Sequence, residues 1–221
     1  MKRAVTKIGG ADGPTAIFLC GKEQSFFERL KSRLRWWKHE RQRRMVARLL
    51  AETPLIPHTI AETLSYIKER YPLEEQNADC CQMYEERRNN LRFSLIQKRQ
   101  PDLLGEIIPV RPPKDLSDEQ EVLRWQQEVR QQSEEMERRA AAVPKEDFPM
   151  DYHFYVIDQG ENGQLEIEAD FIHQELCCSY GGNKEKLWPI LKDIYLYYGI
   201  SREDTKQKTE RYRMLESILV A

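Results

Sequence analysis

The chain has 221 residues, enough for one ordinary domain or two small ones with a sizeable core. Apolar residues make up 40% and charged ones 33%, and the longest stretches free of Asp, Glu, Lys and Arg (13–21 and 53–61) are nine residues each, far short of the roughly 20 that a transmembrane helix needs. The net charge of −2 hides a local excess, because residues 22–48 hold ten Lys or Arg against three Glu, +7 in all, and leave −9 on the remainder.

Met1-Lys2-Arg3 is followed by Lys7 and Asp12, which leaves no apolar core for a secretory signal. The five cysteines (Cys20, Cys80, Cys81, Cys177, Cys178) are odd in number and include two adjacent pairs. They read as reduced thiols rather than a disulfide frame, and a soluble cytoplasmic protein is expected.

Residues 4–8 suit a short strand, residues 9–14 are dense in turn formers, and the apolar run 15–20 suits a second, buried strand. From 25 to 50, Phe26, Leu30, Leu34, Trp37, Met45 and Leu49 recur at helical spacing with basic residues on the other faces, and Ser25 is a candidate N-cap. After Pro54 and Pro57, Thr59 opens a helix with Ile60, Leu64, Ile67 and Tyr71 on one side. Asp79 is placed to cap a third helix running to about Arg99.

Four prolines in 101–116 mark an extended connector. The domain reading is therefore 1–100, connector 101–116, and 117–221, or one integrated domain. Residues 117–120 match a capping box for a helix to Ala142. Its inward seam is Val122, Trp125, Val129, Met136 and Val143, with Gln132 and Arg139 as polar interruptions, and one partner helix in the same chain is its expected occupant.

Residues 152–158 and 164–172 alternate as strands around Asn162-Gly163, a strong two-residue hairpin signal. That turn pairs Phe154 with Phe171, Val156 with Ala169 and Ile157 with Glu168. Two helices close the chain, one from Leu187 to Tyr198 and one capped by residues 201–204. The expected fold is a helix-dominated α+β protein, with one small antiparallel sheet made from the N-terminal strands and the 152–172 hairpin.

Chemistry-bearing patterns are sparse. Gly21-Lys22 has Ala16 where a phosphate loop needs its first glycine, and Glu23 where it needs Ser or Thr. His173, Cys177 and Cys178 lack the spacing of a zinc site, and Glu166, Glu168 and Asp170 read as a solvated strand face. His39, His58 and His153 have no local partner that suggests a catalytic dyad. No cofactor and no metal site are expected, and no catalytic constellation emerges, so the reading leans away from an enzyme without deciding it.

The segment 22–48 interleaves Trp36 and Trp37 with Arg33, Arg35, Lys38, Arg41, Arg43 and Arg44. This is a candidate polyanion-binding set, since arginines contact phosphates and exposed aromatics stack on bases or enter a lipid interface. The plainer reading, preferred at this point, buries Trp37 in the core and turns the arginines toward the acidic helix 117–139. The two readings differ in whether Trp36 and the arginines are exposed together.

The string Ile8-Gly9-Gly10-Ala11-Asp12-Gly13-Pro14-Thr15-Ala16-Ile17-Phe18-Leu19 resembles the signature of the β subunit of sodium-ion-translocating decarboxylases, the membrane pumps coupled to oxaloacetate, glutaconyl-CoA or methylmalonyl-CoA decarboxylation. It covers 12 of the 221 residues. The resemblance implies a sodium-pathway role for the aspartate matching Asp12, within a loop of Gly9, Gly10, Gly13, Pro14 and Thr15. The function expected from the whole sequence is a non-enzymatic binding or protein-interaction module whose protein partner is unidentified. The alternatives are an accessory of the decarboxylase pump, or a binder of nucleic acid or an anionic surface through 22–48.

Overall fold

Helix-favouring runs, each closed by a cap or a proline, set most of the architecture. The structure, a computed structural model, describes residues 4–6, 18–20, 26–53, 55–113 and 118–220. In chain order the elements are β1 (Ala4–Thr6), β2 (Phe18–Cys20), α1 (Phe26–Glu52), α2 (Ile60–Arg70), β3 (Leu73–Gln76), α3 (Tyr84–Arg99) and a 3-10 turn at Pro101–Leu104. There follow α4 (Glu119–Ala142), β4 (Tyr152–Asp158), a 3-10 turn at Gly160–Asn162, β5 (Gly163–Asp170), β6 (Glu175–Gly182), α5 (Lys184–Tyr198), α6 (Arg202–Gln207) and α7 (Glu210–Val220). The helix-dominated α+β class is as expected. No described helix is long and apolar enough to cross a membrane.

Caps explain several boundaries. Thr59 accepts from the Glu62 amide while the Glu62 carboxylate accepts from the Thr59 amide, a reciprocal box repeated by Ser201 and Asp204 before α6. Asp118 caps α4, accepting from Gln120 and Glu121. The expected start of α3 at Asp79 moves to Tyr84, because the Asn77 side chain accepts from the amides of Asp79 and Cys80 and folds that stretch into a turn. Ser25, the expected cap of α1, lies outside the described residues.

The sheet departs from expectation in its membership. The four strands run β3-β4-β5-β6, all antiparallel, whereas among the described residues β1 pairs with β2 in a separate sheet. The hairpin therefore finds its neighbours in Leu73–Gln76 and Glu175–Gly182 rather than in the N-terminal strands. These flanking strands are closer in sequence, so pairing with them closes shorter loops.

The hairpin register also differs, by three residues. Ile157 faces Leu165, Tyr155 faces Ile167 and Phe154 faces Glu168, because residues 159–162 form the loop and Gly163 already lies in β5. The two-residue turn would have made Phe154, Val156, Ile167, Ala169 and Phe171 the apolar face and left Ile157 beside Glu168 on the mixed one. The observed register instead gathers Ile157, Leu165, Ile167 and Ala169 in the core and sends Glu166 and Glu168 to the opposite face.

The chain divides into two compact units, Met1–Arg35 with Leu91–Phe148, and Trp36–Asn90 with Pro149–Ala221. The units interleave along the sequence, a different division from the linear one suggested by the prolines. In the second unit α5 packs on α2, α7, β5 and β6, and Ile60, Ile67, Ile194, Tyr195 and Tyr212 are almost fully buried. In the first, Leu95, Ile96, Leu104, Val122 and Phe148 are the deepest side chains.

The polar residues in the α4 seam have a specific use there. Arg139 donates to the carbonyls of Leu104 and Glu106 at 2.9 and 3.1 Å, and Gln132 donates to that of Ile108. The proline-rich segment thus lies along α4 where a partner helix was expected. The carbonyls of Leu104, Glu106 and Ile108 are satisfied by the two residues that interrupt the apolar stripe.

Candidate functional site

Three or four residues separate Trp37, Arg41, Arg44 and Arg48, so these side chains stack along one face of α1. The opposite face carries Arg43, Val46 and Leu50. Leu50 is buried, Val46 packs against the core, and Arg43 Nε donates to Glu216 Oε2 at 2.9 Å. These three contacts set the rotation of the helix, and they turn the tryptophan face away from the core.

Trp37 is accordingly 58% exposed; Trp36, seven residues before Arg43 and so on that residue's side of the helix, is 67% exposed as well. The expectation that Trp37 is a core residue is corrected. So is the apolar stripe read from the sequence, since Leu30, Leu34, Met45 and Leu49 are all exposed. The inward positions fall one residue later than the stripe, at 46 and 50, a turn of about 100°. Spacing alone does not distinguish these two faces, because aliphatic side chains occur on both.

Trp36, Trp37, Glu40, Arg41 and Arg44 line a groove of about 140 Å³. The Arg41 guanidinium lies over the Trp37 ring, 5.8 Å from its centroid. Arg44 meets Glu40 at 3.3 Å and Arg48 meets Glu52 at 3.7 Å, and both arginine side chains are about four-fifths exposed. Such pairs contribute about 0.3–0.5 kcal/mol, so an arriving anion displaces the glutamates at little cost. Lys38 is exposed as well, and Arg33 and Arg35 are exposed on the first-unit part of the same helix. Among the described residues Arg43 is the candidate cation held by a buried acid, which raises its pKa through that hydrogen bond and charge.

The other candidates separate. Asp12, Gly9, Gly10, Gly13, Pro14 and Thr15 lie outside the described residues. Among the described residues Cys80, Cys81, Cys177 and Cys178 stand in no disulfide, and burial pushes Cys178 up to about 12. Asp170 is fully buried and accepts from the amides of Asp151 and His173, so it shapes the turn after β5. Among the described residues no three His, Cys, Asp or Glu side chains converge as metal ligands.

Glu166 and Glu168 are not a solvated face. Arg87, from α3, lies 2.8 Å from Glu166 and 3.3 Å from Glu168, and its guanidinium covers the Phe154 ring. Burial raises the Glu168 pKa, opposed by Arg87. This cluster escaped the sequence reading, because nothing local in Glu85-Glu86-Arg87-Arg88 marks the third residue as the one over the sheet. Asp193 likewise accepts from the hydroxyls of Tyr66 and Tyr71, more than a hundred residues away.

Comparison of the chain with family models, with curated proteins and with solved structures finds no match in any of the three.

Proposed function

We propose that this chain is a non-enzymatic binding module that docks a polyanion, nucleic acid first among them, on the outer face of α1. One observation carries the reading: Trp37, Arg41, Arg44 and Arg48 are exposed together on one face of a helix whose other face is anchored, with exposed Trp36 lining the groove beside them. Cationic side chains replace the counterions of a phosphate backbone, and their release to solution drives association. An in-plane membrane helix needs apolar and basic residues on separate faces, whereas here Leu34, Trp37 and Met45 alternate with Arg41, Arg44 and Arg48 around one side. That interleaving favours nucleic acid over a lipid surface. We assign the protein to the cytoplasm, where its exposed Cys80 stays reduced.

A gel-shift titration of the full chain against mixed-sequence oligonucleotides tests this. Binding at low salt that weakens steeply as salt rises is the expected result, and absence of any shift at low salt eliminates the reading.

The resemblance in residues 8–19 supports a second proposal, an accessory role beside a sodium-translocating decarboxylase. Co-purification with biotin-dependent decarboxylase subunits is its test, and their absence from a native pulldown removes it.

A further inference from the structure

Resting on the polyanion reading, we infer that the outer face of α1 is a single-strand site, with Trp37 stacking an unpaired base while Arg41, Arg44 and Arg48 follow the backbone phosphates. The two tryptophans are the reason. A duplex encloses the faces of its bases, so an exposed indole beside a phosphate-binding row has a stacking partner only where a base is unpaired. Readers of duplex DNA instead place a recognition helix in the major groove, with its polar side chains on base edges. On this helix the presented row begins with an indole and continues with guanidinium groups.

The dimensions agree. Arg41, Arg44 and Arg48 stand about 4.5 and 6 Å apart along the helix axis, a spacing on which three long side chains can reach successive phosphates. The groove of about 140 Å³ between Trp36 and Trp37 is open beside this row. A cavity of about 150 Å³ holds a benzene ring, so there is room for one planar heterocycle against Trp37. Glu40 lines the same groove, within 3.3 Å of Arg44. It repels a phosphate but accepts from the N–H groups on a base edge, which directs the base rather than the backbone into the groove. When Arg44 leaves Glu40 for a phosphate, that carboxylate is freed for the base.

The test uses the full chain and fluorescence anisotropy with one labelled sequence, about 12 nucleotides long, as a single strand and as a duplex, beside phosphatidylserine vesicles. The single strand is expected to bind at least about tenfold more tightly than the duplex. Trp37→Leu should lower single-strand affinity by about tenfold or more, as loss of one stacked base implies. The logarithmic salt slope should be near −2, as expected for about three phosphates. Arg138→Gln, an exposed cation in the other unit, should change neither affinity nor slope. Because Trp37 is largely exposed, unchanged circular dichroism and melting should accompany its replacement. Equal affinity for strand and duplex, with Trp37→Leu affecting neither, overturns the single-strand site and leaves the polyanion reading standing. Vesicle binding without oligonucleotide binding overturns both, as does failure to bind any of the three.

Discussion

Arg43 reaches Glu216 across 173 positions of sequence, Nε to Oε2 at 2.9 Å, and ties the inner face of α1 to α7. Glu216 is nearly buried and also accepts from the Tyr212 hydroxyl at 3.2 Å. The contact makes Arg43 a structural cation and leaves Arg41, Arg44 and Arg48 as the presented ones.

Removing Arg43 strands a buried carboxylate with one neutral donor. Arg43→Ala is expected to lower unfolding free energy by about 1–2 kcal/mol. Arg44→Ala, which breaks only an exposed pair with Glu40, should stay within about 0.5 kcal/mol of the parent. Urea unfolding of both variants checks the contrast, and equal losses would mean that the Glu216 contact does not orient the helix.

Arg139 interrupts the α4 seam, so a leucine there completes the apolar stripe. Were a partner helix packed on the seam, Arg139→Leu would stabilise the protein. Because Arg139 carries the carbonyls of Leu104 and Glu106, the opposite is expected: a loss of about 1–2 kcal/mol. Limited proteolysis should also show faster cleavage within 104–110.

Gly163 has φ +97°, and a Cβ there would meet the Gly181 carbonyl and come within 2.8 Å of Gly182 Cα. Both obstacles are backbone of the paired strand, so they cannot swing aside. Gly163→Ala should cost about 2 kcal/mol or more. Gly160→Ala, at φ +57° but with open space around it, should cost about 1 kcal/mol. Thermal melts of the two variants measure the difference, and a Gly163 variant no worse than the Gly160 one would contradict the observed register.

His153 stands between two carboxylates, Nδ1 at 2.7 Å from Glu75 and Nε2 at 3.1 Å from Asp151. Burial pulls its pKa down, yet the hydrogen bonds to Glu75 and Asp151 outweigh it and the net direction is up from 6.5. Ionised carboxylates only accept, so both ring nitrogens donate when the imidazole is charged. The folded state therefore holds this proton more tightly than the unfolded chain. The stability it contributes is fully present below pH 6.5 and is lost as pH rises through the elevated folded value. His153→Gln should melt lower than the parent in mild acid, with the gap narrowing above that range. Parallel melting curves across the range would show that the imidazolium is not favoured.

Local chemistry made much of the fold legible in the sequence. The box at Thr59 and Glu62, the cap at residues 201–204, the prolines that end α1 and α4, and the buried side of α2 all depend on residues within about four positions. The exposed aromatic and basic residues of α1 were legible as a set for the same reason. Which way that set faces was not: α1 has aliphatic residues on more than one side, and its rotation depends on Glu216 and on the core around Leu50. Likewise the Asn162-Gly163 dipeptide signalled a turn, but burial of Ile157 beside Leu165, Ile167 and Ala169 chose the register. Composition, periodicity and capping are short-range and can be read along the chain. Helix rotation, strand partners and the burial of an acid or an indole follow from the free energy of contacts between distant residues, which only the assembled structure brings together.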